Sequence, residues 1–147
     1  MIKQTPIVLL AVVAFFISIA CKDAILGPSY PVTNLKEYDY IVIATVNNAV
    51  HDKQGYQPLK SFTATINKSL KGGLAIGTPI KGKAKIEEAR AVCPLHLEEN
   101  TEYLLLLNKS NDTCILSRFS FPVKKGYQYY DNYLKQLEIL LHENGKQ

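Results

Sequence analysis

Residues Leu59 to Leu70 alternate in character: Phe62, Ala64 and Ile66 fall on one face, with Ser61, Thr63 and Thr65 on the other. A repeat of two is the mark of a half-buried β-strand, so this part of the chain belongs to a sheet with one dry face. Ile80 to Ile86 repeats the pattern, setting Ile80, Gly82, Ala84 and Ile86 against Lys81, Lys83 and Lys85. The lysines read as a solvated face that guards a sheet edge, rather than as an anion-binding patch. Tyr40 to Val46 (YIVIATV) is rich in β-branched and aromatic residues and predicts a third strand. Glu102 to Leu107 holds the run YLLLL, which suits a buried central strand. After the polar turn Asn108 to Thr113, Cys114 to Ser120 completes a hairpin as a fifth strand. His51 to Pro58 reads as a loop, and Lys71-Gly72-Gly73 stops the alternating strand.

The period then changes. Tyr130, Tyr133, Leu134, Leu137, Leu140 and Leu141 recur at helical spacing and form one apolar stripe, with Gly126 before it and Gly145 after it. Such a stripe is expected to pack on the parent domain, and Tyr127, Tyr129 and Tyr130 would anchor the helix start. Five strands and one packed helix suit a small closed barrel. An open sheet with one helix and a sandwich missing strands fit the same periodicities.

The N-terminus is an address rather than a fold element. Lys3 is followed by Pro6 to Ala20 (PIVLLAVVAFFISIA), fifteen residues without a charge. A transmembrane helix needs about twenty apolar residues, whereas a signal-peptide core is this short and ends on small residues such as Ser18 and Ala20. Residues 1–20 are therefore expected to be a signal peptide. Ser18-Ile19-Ala20-Cys21 resembles a bacterial lipobox, in which the cysteine receives a thioether-linked diacylglycerol. Lipidation of Cys21 is the expectation, and cleavage by ordinary signal peptidase is the alternative. Each buried methylene contributes roughly 0.8 kcal/mol, so several acyl chains anchor durably. Residues 21–34, with Gly27, Pro28 and Pro31, read as a tether, and the folded domain as residues 35–147. The expected location is the cell-envelope membrane, facing the periplasm or the outside.

In an exported chain Cys93 and Cys114 most simply form a disulfide. It would close a loop of about twenty residues, stabilising the fold by roughly 3 kcal/mol. Two buried free thiols are the other possibility. No CxxC or HxxxH spacing accompanies either cysteine, so no structural metal is expected. Asn67-Lys68-Ser69, Asn108-Lys109-Ser110 and Asn111-Asp112-Thr113 fit the N-glycosylation pattern and would matter in a eukaryotic host.

Seventeen Lys and Arg against thirteen Asp and Glu, a net charge of +4, is a mild excess with no basic run of five. A nucleic-acid partner is not expected. His51, His96 and His142 are scattered. Cys93-Pro94-Leu95-His96 looks like a thiol beside a base, but catalytic partners are assembled by the fold rather than by sequence adjacency. Glu87-Glu88 and Glu98-Glu99 read as solvated surface. No phosphate loop, GxSxG or HExxH occurs. The expectation is a protein that is not an enzyme and carries no cofactor.

The order of these signals resembles the netrin-like domain family, which includes the tissue inhibitors of metalloproteinases. Asp39-Tyr40-Ile41-Val42 leading to Val46 resembles the family's opening strand. Phe62 to Ile66, closing on Ser69-Leu70-Lys71-Gly72, resembles the strand that ends in a Lys-Gly turn. Cys93-Pro94-Leu95 through Leu97, then Thr101-Glu102-Tyr103-Leu104, resembles the Cys-Gly, Leu, Gly-x-x-Tyr-Leu block, with Asn100 in place of Gly. Cys114 stands where the next strand carries a family cysteine.

The likeness spans about Leu35 to Leu141 and implies a five-stranded, OB-like Greek-key barrel with a C-terminal helix. In the inhibitors an N-terminal cysteine follows the signal peptide, and its amine and carbonyl chelate the protease zinc. Cys21 occupies that position and would pair with Cys93, leaving Cys114 over. Asp23 stands where the inhibitors carry a second cysteine, and N-acylation of a lipidated Cys21 would block the amine. The leading expectation is thus a membrane-anchored binding module for a protein or glycan partner. A secreted metalloprotease inhibitor acting through Cys21 is the alternative.

Overall fold

The computed structural model describes residues 35–53, 58–84, 96–117, 120–123, 126 and 128–145. The expected signal peptide, the tether, Cys21, Cys93, Lys85, Ile86, Glu87-Glu88 and Tyr127 lie outside them. The described chain opens with a 3-10 turn, Leu35–Glu37. Six strands follow: β1 (Tyr40–His51), β2 (Leu59–Lys71), β3 (Pro79–Ala84), β4 (Glu102–Ser110), β5 (Thr113–Leu116) and β6 (Phe121–Pro122). One helix, α1 (Gln128–Asn144), ends the fold.

The strands run β1-β2-β3-β5-β4, and β4 pairs back onto β1. That circuit is a closed five-stranded barrel of the OB type. Every pairing is antiparallel except β3 with β5, where Gly82, Lys83 and Ala84 lie beside Cys114, Ile115 and Leu116. Closure corrects one expectation: β3 is paired on both sides, so its lysines guard no edge and simply face water.

The barrel and the helix produce two cores. Val42, Ala44, Val46, Phe62, Ala64, Ile66, Tyr103, Leu105, Leu107 and Leu116 are among the residues that fill the interior. Ile41, Ile43, Leu104 and Leu106 point outward from the same two strands and meet Leu35, Phe121, Tyr130 and Leu137. This explains the unbroken apolar runs in β1 and β4, since α1 dries the outer wall that would otherwise face solvent. The stripe on α1 therefore packs on its own domain, with Tyr130 and Tyr133 edge-on to Phe121 at 5.9 and 4.9 Å. Exposed Lys68 of β2 reaches across to Glu138 of α1 at 2.7 Å.

Two boundaries differ from expectation. β1 continues through His51, because Asn48, Ala49, Val50 and His51 pair with Thr63, Phe62, Ser61 and Leu59. In this extension Asn48 and Val50 face water, while Ala49 packs on the interior core and His51 is half-buried beside it. In contrast, β5 stops at Leu116, short of Ser120. The Ser117 amide donates to the Leu106 carbonyl at 2.9 Å, and the Leu106 amide donates to Ser120 Oγ at 3.0 Å. A buried hydroxyl thus replaces a ladder carbonyl, and among the described residues pairing on this side of β4 continues at β6.

The 3-10 turn is locked onto the barrel by Lys71, whose ammonium donates to the carbonyls of Leu35, at 2.7 Å, and Tyr38. Asp39 and the β4 end form a reciprocal clasp. The Lys109 amide donates to Asp39 Oδ2 at 2.7 Å, while the Asp39 amide donates to Asn108 Oδ1 at 3.3 Å.

Candidate functional site at one end of the barrel

The end of β1, the start of β2 and the segment 96–101 entering β4 meet at one end of the barrel. Backbone bonds set the frame: the Asn100 amide donates to the Val46 carbonyl at 2.7 Å, and the Val46 amide to the Thr101 carbonyl at 3.0 Å. Asn100 makes the turn at φ 59°, a left-handed conformation that asparagine tolerates better than most residues. Leu97 then drops into the interior core at 1% exposure and closes this end.

Polar side chains fasten the turn. Glu99 Oε1 accepts from the Ala49 amide and from Asn48 Nδ2, both at 3.2 Å. The Glu98 amide donates to the Tyr103 hydroxyl at 3.0 Å. His51 Nε2 accepts the Leu97 amide at 3.3 Å, and the His51 ring stacks on that of His96, with centroids 4.1 Å apart and planes 23° from parallel. Burial, and then the neighbouring His96, hold His51 below its ordinary value of 6.5, against the opposing pull of Glu99. Burial raises the Tyr103 phenol, although the bond from the Glu98 backbone works the other way.

Neutral and anionic hydrogen-bonding groups thus hold the turn against the strand ends. His96 stacks on a second imidazole, and Cys93, three residues before it in the chain, lies outside the described residues. Glu98 and Glu99 are both exposed, and Glu99 clasps β1. Among the described residues, no group of three or more His, Cys, Asp or Glu side chains is placed to hold a metal ion. Cys114 is a buried free thiol here, raised by burial first and by Asp39 second. The Cys93–Cys114 disulfide is thus not seen, and its other half lies outside the described residues. His142 is exposed in the last turn of α1. No described helix is long and apolar enough to cross a membrane.

A second polar surface lies on the outer wall. Asn47 Nδ2 donates to Thr65 Oγ1 and Asn67 Nδ2 to Thr45 Oγ1, both at 2.8 Å, and Asn67 Nδ2 also reaches Glu102 Oε2 at 2.6 Å. The Asn67 amide nitrogen of the first sequon is therefore engaged. Asn111 makes an exposed turn at φ 51°.

The meeting of His51 with His96, and of Glu99 with Asn48, carries no local sequence signal, because each joins segments about fifty residues apart. No protein-family model matches this chain, and no curated protein matches it.

Proposed function

We propose that the chain is a lipid-anchored, non-enzymatic protein of the cell envelope, in which a netrin-like barrel binds a protein or glycan partner. The observation that carries this reading is the closed strand circuit with its packed interior. Side chains fill the barrel, so a partner meets the outside: the turn 96–100, the strand ends beside it, or the polar wall. Fold alone does not fix function, so the anchor rests on the Ser-Ile-Ala-Cys segment ahead of a Gly/Pro tether.

Three residue-level findings support the netrin-like part. Asn100 occupies a left-handed turn where the resembled block carries glycine. Lys71-Gly72 ends β2 with the lysine capping the 3-10 turn. Asp39 opens β1 by clasping β4.

The deciding experiment is Cys21→Ser with membrane fractionation, together with the intact mass and N-terminal peptide of the wild-type protein. Diacylglycerol on Cys21, and loss of membrane association in the variant, are the expected results. An unmodified Cys21 amine with its sulfur bound to Cys93 would overturn them. That outcome would favour the metalloprotease-inhibitor reading, in which Cys21 chelates the target's zinc, and an inhibition assay would follow.

A further inference from the structure

We propose that His51 and Leu97 form an acid-released latch: protonation of the His51 imidazole breaks its bond to the turn 96–100 and unseats Leu97 from the barrel end. Nε2 of His51 accepts the Leu97 amide only while that nitrogen carries no proton, which selects the neutral tautomer protonated at Nδ1. Adding a proton turns the acceptor into a donor facing a donor. The bond is then lost at the residue whose side chain closes the interior.

The surrounding groups reinforce this sense. His96 stacks on His51 at 4.1 Å, so two charged rings would repel at contact distance. Glu99, from the same turn, favours a charged His51, but its Oε1 already holds the Ala49 amide and Asn48. Glu98 follows Leu97 in the turn and is tied through its amide to the Tyr103 hydroxyl. Beside His51, Asp52 just after β1 and Lys60 of β2 form an exposed ion pair at 3.7 Å. The bonds from Asn100 to Val46 and from Val46 to Thr101 are backbone bonds and do not titrate. Release therefore starts at Leu97 and stops at Asn100, whose left-handed backbone is the pivot. Burial lowers the folded-state affinity of His51 for a proton relative to the unfolded chain. The unfolded state then gains protons first, and this end of the barrel loses stability as pH falls through 6.5.

The latch is independent of lipidation and of the partner, so its failure would leave the proposed function untouched. The test is residue-resolved amide hydrogen exchange on the full chain in mild detergent, from about pH 8 to about pH 5, corrected for intrinsic rates. Protection of the Leu97 amide is expected to fall roughly tenfold while that of Leu105 holds. His51→Gln supplies an acceptor that does not titrate and should abolish the pH dependence. His96→Ala removes the like charge and should move the His51 ring titration to higher pH. A Leu97 amide indifferent to pH, or a pH dependence surviving in His51→Gln, would overturn the latch. Should His51→Gln not fold, an unmoved or lowered His51 titration in His96→Ala would do the same.

Discussion

The ring of Phe62 fills the space over Gly82: a Cβ on Gly82 would lie 2.3 Å from Phe62 Cε1 and 2.4 Å from Cζ. The two residues are register partners on β2 and β3 and face into the barrel. A five-stranded barrel is narrow, so a large side chain needs a small partner opposite it. The Cys114 carbonyl oxygen, 3.0 Å from the same point, closes the other side.

Gly82→Ala is therefore expected to cost about 1–3 kcal/mol by overpacking. The measurement is a denaturant midpoint that falls at unchanged slope. Adding Phe62→Leu should recover part of the loss, as coupled neighbours do. Strictly additive losses would place the strain elsewhere.

Gly72 and Gly73 both take positive φ, 92° and 66°, after the last residue of β2. Gly73 has open space around it, so Gly73→Ala should cost only the left-handed strain, about 1–2 kcal/mol. A Cβ on Gly72 would meet Tyr40 Cδ1 at 2.3 Å and the Asp39 carbonyl oxygen at 2.6 Å. Gly72→Ala should be clearly the more destabilising in paired melting curves, and equal losses would contradict the packing described for Tyr40.

Leu137 is fully buried between α1 and the outer wall of the barrel, whereas Ile139 is 50% exposed on the far side of the same helix. Leu137→Ala should cost about 2–5 kcal/mol, and Ile139→Ala should stay within about 0.5 kcal/mol. Comparable effects in thermal unfolding would mean that the helix is docked the other way round.

Burial, with Tyr38 as a lesser cause, pushes the Tyr133 phenol up to about 12 from its ordinary 10.0. Folded Tyr133 keeps its proton where the unfolded chain has lost it. Its contribution is thus complete below pH 10 and disappears as pH rises toward 12. Tyr130 and Tyr103 shift in the same direction. Alkaline unfolding followed by tyrosinate absorbance should fall in that window, and Tyr133→Phe should move it upward. A phenol titrating at its ordinary value without loss of structure would sink the prediction.

Most of the element plan was legible in the residues. The alternation around Phe62, Ala64 and Ile66 marked the dry face of β2, and the spacing of Tyr130, Leu137 and Leu141 marked the buried stripe of α1. Less legible were the extension of β1 to His51 and the early end of β5. Strand ends depend on what pairs beside them: Leu59 and Ser61 hold the tail of β1, and the Ser120 hydroxyl interrupts the ladder after Leu116. The exposed Lys81 and Lys83 were recognisable as a wet face, but whether their strand lay at an edge was not.

What the sequence determined by itself is the dry side of each element, because burial imposes a period of two on strands and 3.6 on helices. It also placed the turns at Gly72-Gly73 and Gly126, where positive φ is needed. Only the tertiary structure decided which dry side covers which. Closure of β4 onto β1 seats Leu97 in the barrel, stacks His51 on His96 and leaves Ile41 and Leu104 for the helix. The physical reason is that periodicity is a property of neighbours along the chain. The bond from Leu97 to His51, 46 residues away, exists only because the barrel closes.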